Sequence, residues 1–456
     1  MDDTDYNLGI RRRAEDDSGG GRSRPSGSTR LKNTLLVVCT LIATFAVAEV
    51  ALRAMYHPEN LEPVIRFDSA LGWSLKPRAN LRSYDDQTGL DYRIRTNSLG
   101  MREREVSERK PPGKKRILII GDSIAFGTGV EAEWRFSDFL SRALGSDVEV
   151  LNAGVSGWGT DQELLYYEKI GKKLDPDVVI LTFTMANDVI NNMLDHLFLG
   201  SAPKPRFVIR DGGLRLDRET LDPPKTRFDL RVKRTLRRSR VLLLAKRRIG
   251  MLRYERRMKR ADAEAHDAYA QSIKMHAGFD KRGLENEYSH WSVYESSYGP
   301  QFEDAWRVTE AIVDRFSRTC AENGADLIVF AFPLKLEVDS AWRDALYAHF
   351  AIDSSALDFH KPYERLANFC ASRGIEFVYP LETFQKASRV HALYFARDSH
   401  PDIWGHAAAA GVLLPELHGR CLLDYHIAGA DREFIEPLVG AVDDVPGQAP
   451  AMILHK

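Results

Sequence analysis

The chain has 456 residues, with 64 Lys and Arg against 65 Asp and Glu, so its formal net charge is −1. This balance argues against a nucleic-acid partner, which calls for an excess of basic charge. A composition of 44% hydrophobic and 28% charged residues is that of an ordinary globular protein, and the length suggests two to three domain-sized units. The four cysteines are Cys39, Cys320, Cys370 and Cys421. None sits in a CxxC pair, so neither a zinc site nor a redox motif is expected. Cys39 lies in an apolar stretch. The other three are an odd set, which argues against a disulfide framework but leaves one bridge open.

Residues 1–30 are polar, with Arg11, Arg12 and Arg13 and a Gly/Ser-rich patch from Ser18 to Ser28. They cannot bury a core and are expected to be a disordered cytoplasmic tail. An apolar run follows from Leu35 to Ala48 and resumes after Glu49 as Val50, Ala51, Leu52, Ala54 and Met55. Taken as 31–56, it reaches the roughly 20 residues that a membrane-spanning helix needs. Glu49 and Arg53 lie one turn apart near its outer end, placed to pair or to reach the interface. Arg22, Arg24, Arg30 and Lys32 precede the run, so the positive-inside rule puts the N-terminus in the cytoplasm. The rest of the chain is then extracytoplasmic, periplasmic or external. Ala46-Val47-Ala48 also fits a signal-peptide cleavage site. The long polar tail and the apolar residues beyond Glu49 favour a retained anchor, and both readings export the remainder.

Residues 57–113 are expected to form a small β-containing pre-domain and linker. Leu71-Gly72-Trp73 and Tyr92-Arg93-Ile94-Arg95 have strand character, Asn97-Ser98-Leu99-Gly100 is turn-like, and Pro111-Pro112-Gly113 closes the linker. Five short apolar, β-branched runs come next: Arg116–Gly121, Val148–Asn152, Asp177–Phe183, Asp326–Phe332 and Ile375–Tyr379. They read as strands buried on both faces, as in a parallel sheet. Helical stretches at 131–144, 160–173, 302–323 and 361–372 alternate with them. The alternation predicts an α/β doubly wound domain over 114–425, with 426–456 as a C-terminal tail. In such sheets ligands bind beyond the carboxyl ends of the strands.

The chemistry-bearing residues fall just after these runs. Gly121-Asp122-Ser123 follows the first, Asn152-Ala153-Gly154-Val155-Ser156-Gly157 the second, and Ala186-Asn187-Asp188 the third; Asp398-Ser399-His400-Pro401 stands near the end. Each block alone is weak, and a serine at a strand-to-helix turn is as often a simple N-cap. Together, in this order and at these places, they resemble the SGNH (GDSL-like) hydrolase superfamily in its membrane-anchored extracytoplasmic form. That resemblance implies a three-layer α/β/α flavodoxin-like fold with a five-stranded parallel sheet. It implies Ser123 as nucleophile, His400 as general base and Asp398 as the acid that orients the base. The Ser123 and Gly157 N–H groups and the Asn187 side-chain amide become the oxyanion hole, with Gly154 as the alternative to Gly157. No metal and no cofactor is implied.

Two positions depart from the family pattern. The last block is usually D-x-x-H, whereas Arg397 stands at the acid's usual place and Asp398 is one residue nearer. Met185 stands where the third block usually has Gly, and is expected to narrow the space beside Asn187. Asp122 and Asp188 are expected to hold loops, and His406 to start a helix. Gly127 and Gly129 make no dinucleotide fingerprint, because the spacing and the acidic partner are missing.

About 140 residues separate Asn187 from the fourth run, far more than a normal connection. This insertion, 195–300, contains a hairpin signal at Phe207–Arg210, Asp211-Gly212-Gly213 and Leu214–Leu216. It also holds a basic stretch, Arg231–Arg260, with Arg237, Arg238, Lys246, Arg247, Arg248, Arg256 and Arg257 among its cations. Leu236, Val241, Leu242, Leu243, Leu244 and Leu252 are interspersed. An amphipathic helix is expected there, either covering the sheet or meeting anionic lipid or an acidic glycan. The expected activity is hydrolysis of an O-acyl ester, acetyl among them, on a cell-envelope or secreted carbohydrate. The alternatives are O-acyl transfer to a glycan, with a separate membrane partner as donor, and a non-catalytic glycan-binding or assembly role.

Overall fold

A computed structural model describes residues 27–55, 64–84, 89–198, 202–217, 290–350, 352–396 and 398–421, with scattered residues in 221–256 and 431–435. The expectations for the polar tail, for most of the basic stretch (Arg237, Arg238, Lys246, Arg247 and Arg257 included) and for 436–456 lie outside the described residues. The chain divides into two units, Met1–His57 with Ser239–Leu244, and Pro58–Arg238 with Ala245–Lys456.

The first unit is built on α1 (Gly27–Met55). Its stretch Leu31–Met55 has the length and apolarity of a membrane span, with a mean hydropathy of 2.5 over its most apolar part. Leu35, Leu41, Ile42 and Val50 are all exposed, so apolar residues face outward around the helix rather than along one stripe. Glu49 interrupts the run but is fully paired. Its carboxylate accepts from Arg53 Nε at 2.8 Å, Ser239 Oγ at 2.8 Å, Arg240 N at 3.0 Å and Val241 N at 3.1 Å.

The second unit opens with two antiparallel pairs, β1 (Ile65–Asp68) with β2 (Gly72–Leu75), and β3 (Asn80–Tyr84) with β4 (Asp91–Arg95). The turn after β4 forms because Asn97 Oδ1 accepts from the Leu99 and Met101 N–H groups, both at 3.0 Å. Then come β5 (Lys115–Gly121), α2 (Ser123–Phe126), α3 (Phe136–Leu144), β6 (Val148–Asn152), α4 (Thr160–Lys169), β7 (Val178–Phe183) and α5 (Met185–Met193). In the insertion β8 (Phe207–Arg210) pairs with β9 (Gly213–Leu216). Their two-residue loop places Asp211 at φ 52° and Gly212 at φ 71°, the left-handed pair that suits the twist of a tight hairpin. The chain closes with α6 (Pro300–Glu322), β10 (Asp326–Ala331), α7 (Lys335–Val338), α8 (Ser340–Phe350), α9 (Lys361–Arg373), β11 (Glu376–Val378), α10 (Leu381–Ala387) and α11 (Ile403–Cys421). Cys39, Cys320 and Cys370 are free thiols.

The sheet has five parallel strands in the order β11-β10-β7-β5-β6. All five expected runs are strands, within one or two residues. Side chains alternate between two apolar layers. Leu118, Ile120, Val179, Leu181 and Val329 face the layer of α4, α5 and α6. Ile117, Ile119, Ile180, Ile328 and Phe330 face α3, α10 and α11. Each such side chain, wholly buried, contributes about 1.5–3 kcal/mol. The chain reverses direction across the sheet between β5 and β7, which opens a crevice at their carboxyl ends.

One expectation is corrected. The helix over 131–144 begins only at Phe136, because Arg135 is extended (ψ 151°) and turns its guanidinium inward to Asp138 and the Arg102 carbonyl. The hairpins of 57–113 have no core of their own. Leu71, Trp73, Leu75, Tyr92, Ile94 and Met101 lie in the same buried cluster as Leu118 and Val179.

Candidate active site

β5 ends at Gly121 and α2 starts at once, so Ser123 is the first residue of a helix that opens over the crevice. Gly121 has no room for a side chain, since a Cβ would lie 2.8 Å from Thr182 Cβ and 2.9 Å from Ala125 Cβ. Asp122 caps the helix, its Oδ1 accepting from Ile124 N at 2.9 Å. Ser123 is half-buried between the fully buried Asp122 and Ile124.

His400 and Asp398 reach Ser123 from the far end of the chain, on a loop held as a hairpin. Phe395 N donates to His400 O at 3.1 Å, and Asp402 N to Leu393 O at 3.0 Å. His400 Nε2 accepts from Ser123 Oγ at 2.8 Å, and its Nδ1–H donates to Asp398 Oδ1. The short D-x-H spacing works because the same Asp398 oxygen also accepts the His400 backbone N–H at 2.8 Å. A tight turn of this kind brings the carboxylate round to the ring. Both side chains stay reachable, His400 24% exposed and Asp398 19%. Burial pulls the His400 imidazole down, but the Asp398 and Asp122 carboxylates push it up, and the net position is above 6.5.

The two other blocks supply N–H donors. Asn187, in the first turn of α5, gives one amide hydrogen to Asp122 Oδ2 at 3.0 Å. Its second hydrogen has no partner among the described residues. In the loop after β6, the Gly154 N–H donates to Asn152 Oδ1 at 2.9 Å and is spent. Gly154 is there for fit: a Cβ would lie 2.4 Å from Phe126 N. Gly157 has φ +82° and donates its N–H to no described residue. The geometry thus separates the two glycines and favours Gly157 as the donor.

Asp122 and Asp188 hold loops, as expected. Asp188 Oδ2 accepts from Thr184 N at 2.6 Å, and burial together with Asp122 pushes its carboxyl well above the usual range. His406 is wholly buried in α11, accepts from Phe136 N at 3.3 Å, and is pushed down to about 3 by burial and by the Arg135 and Arg102 charges. It is a neutral packing group. Met185 does not narrow the crevice. Its side chain is 0% exposed within the core, so it offers no surface there. Among the described residues no group of three His, Cys, Asp or Glu is placed to hold a metal ion.

Sequence reasoning missed two supports of the site. Trp73 of β2 donates its indole N–H to Ser156 O at 3.1 Å, and Trp158 returns one to Trp73 O at 3.0 Å, so the hairpin clamps the Gly157 loop. Arg102 is buried and donates to Phe126 O at 2.8 Å, Gly127 O at 2.7 Å, Arg93 O at 2.8 Å and Val130 O at 2.7 Å. It fixes the backbone just after Ser123. An isolated Trp and an isolated Arg in a β-rich stretch carry no signal of such docking.

The sequence profile of the GDSL-like Lipase/Acylhydrolase family matches residues 119–360, more than half of the chain. His400 and Asp398 lie beyond that segment, and the fold brings them to it. No curated protein matches by sequence. Solved structures that resemble the chain include TesA, at 12% identity over 68% of this chain and 100% of its own, with a TM-score of 0.33. The acetylxylan esterase Axe2 from Geobacillus stearothermophilus shows 13% identity over 67% of this chain and 95% of its own, with a TM-score of 0.33. A lipase/acylhydrolase from Enterococcus faecalis shows 12% over 67% and 96%, with a TM-score of 0.32.

Proposed function

We infer that this chain, which belongs to the GDSL-like lipase/acylhydrolase family and is an ester-hydrolysing enzyme, cleaves its substrate through an acyl-enzyme on Ser123. The observation that carries this is the relay Ser123–His400–Asp398, with Ser123 Oγ 2.8 Å from His400 Nε2 and Asp398 on the other ring nitrogen. The hydroxyl proton passes to Nε2 as Oγ attacks the ester carbonyl, and Asp398 stabilises the imidazolium that forms. The oxyanion is met by the N–H groups of Ser123 and Gly157 and by the free amide hydrogen of Asn187, with the α2 N-terminus behind them. His400 then returns the proton to the leaving alcohol. Water, activated in the same way, releases the acid.

The substrate is read as an O-acyl ester, acetyl first, on an extracytoplasmic carbohydrate. It rests on the location inferred from the N-terminal span: α1 suits a retained anchor, and the basic residues before it set the N-terminus inside. The insertion is read as meeting anionic lipid, which its exposed Ile249 and Leu252 and neighbouring Arg248 and Arg256 would favour. Charge reversal at Arg248 and Arg256 is expected to lower affinity for anionic but not neutral vesicles.

The purified full-length chain is expected to hydrolyse a short-chain chromogenic ester, and Ser123→Ala to lose that activity. Equal rates in the two would overturn the reading. Acceleration of ester turnover by added saccharide, with acyl saccharide as product, would shift it to transfer.

A further inference from the structure

A cleft of about 620 Å³ lies beside the catalytic loop, between the Lys335–Trp342 segment and residues 392–404. That is within the roughly 300–1,000 Å³ of small-molecule sites. We propose that it holds sugar rings of a neutral saccharide whose acyl ester is presented to Ser123. The proposal rests on the esterase reading above and places the non-reacting part of its substrate.

The cleft adjoins the catalytic hairpin. Lys335 Nζ donates to Phe395 O at 2.9 Å and Ala396 O at 3.3 Å, while Phe395 N donates to His400 O at 3.1 Å. One wall of the cleft is therefore the hairpin that carries Asp398 and His400. The Phe395 ring also packs on Gly129, where a Cβ would lie 2.5 Å from it, so the same residue borders the loop after Ser123.

The cleft also holds fixed acceptors. Asp339 Oδ1 accepts from Trp342 N at 2.9 Å, and Asp402 Oδ1 from Trp404 N at 2.9 Å and Gly405 N at 3.2 Å. Each carboxylate spends one oxygen on the start of a helix, which holds it still. The other oxygen of each has no hydrogen-bond partner among the described residues. Two immobile acceptors suit hydroxyl donors and lose little entropy on binding.

The surface of the cleft is mixed in character. Phe395 and Trp404, both half-buried, border the cleft; Trp404 has one face stacked on His391 at 3.6 Å and Trp342 is buried, so ring edges rather than open aromatic faces are left to meet the C–H groups of a sugar. Against one cation, Lys335, stand two carboxylates, so an anionic headgroup or polyanion would be repelled. Lys335 lies 4.8 Å from the Trp342 ring centroid and spends its protons on carbonyls, acting as a strut. An aliphatic chain would strip water from Asp339 and Asp402 and return no hydrogen bond.

The test uses the full-length chain in detergent. Short O-acetylated gluco-, xylo- and manno-oligosaccharides are titrated calorimetrically into Ser123→Ala, alone and combined with Ala392→Trp, which sets bulk on the exposed rim. A second variant, Asp339→Asn, keeps the cap oxygen and replaces the free one by an amide donor. At least one saccharide is expected to bind. Ala392→Trp should weaken it tenfold or more and Asp339→Asn severalfold, and in the Ser123 enzyme both should raise KM and leave kcat. Binding to none of the three, or binding within twofold in both variants, would overturn the cleft. Turnover of a small chromogenic ester by the wild-type chain is read separately. Its loss would sink the esterase reading and leave the saccharide titration to decide the cleft.

Discussion

Among the described residues the Ser123 hydroxyl has His400 Nε2 as its acceptor, and that nitrogen accepts a proton only when neutral. Because Asp398 and Asp122 hold the imidazole above its ordinary value, kcat/KM should fall as pH drops through that raised pKa and should be level above it. Asp398→Asn removes the main raising charge. The acid limb should move to lower pH and the plateau should fall by about 10²–10⁴-fold. A pH profile of the two forms checks this, and an unmoved limb would contradict the role given to Asp398. Asn187→Ala should lower kcat by about 10²–10³-fold with KM little changed. Asp122→Asn should do the same more weakly, since Asp122 acts by aiming Asn187. At this scale much was legible. Ser123, Asn187 and His400 stood in blocks of recognisable order, as did Gly157 with Gly154 as its alternative, whereas the hydrogen bond that occupies the Gly154 N–H is one that no sequence displays.

Short elements around the sheet, rather than the sheet itself, hold these groups in place. The β1–β2 hairpin reaches the Gly157 loop through Trp73, and Arg102 gathers four carbonyls around the turn that follows α2. Arg102→Met would leave those carbonyls buried and unmet, at a cost of about 3 kcal/mol or more. The thermal midpoint of the purified chain should fall by several degrees, and an unchanged midpoint would contradict this. Trp73→Ala should lower kcat beyond what its loss of stability explains, because it frees the loop that carries the Gly157 N–H. Strand signals at Leu71–Trp73 and Tyr92–Arg95 announced one strand of each hairpin, but neither its partner nor where the hairpin docks. Docking is a long-range choice, and one sequence carries no register between distant elements. The break at Arg135 was hidden for a similar reason: local propensity continues the helix, and a buried guanidinium overrules it.

On the scale of the molecule, apolar runs announced five strands, and the carboxyl-end rule announced where the site would lie. The strand order was not legible, because a parallel sheet can be threaded in several orders by the same runs. The apolar helix was equally legible, and so was the Glu49–Arg53 pair one turn apart; the further pairing of Glu49 with Ser239 was not. A retained anchor predicts that the expressed chain pellets with membranes after alkaline carbonate washing and keeps the residues before Ala48 in its intact mass. A mature chain beginning just after Ala48 would show a cleaved signal instead. The account as a whole turns on Ser123 as an activated nucleophile. Treating the full-length chain with a fluorophosphonate and mapping the adduct by peptide mass spectrometry tests this most directly. The account predicts a single adduct on Ser123, absent in Ser123→Ala and strongly reduced in His400→Ala; no adduct on Ser123 while ester turnover proceeds, or labelling that survives Ser123→Ala, would contradict it.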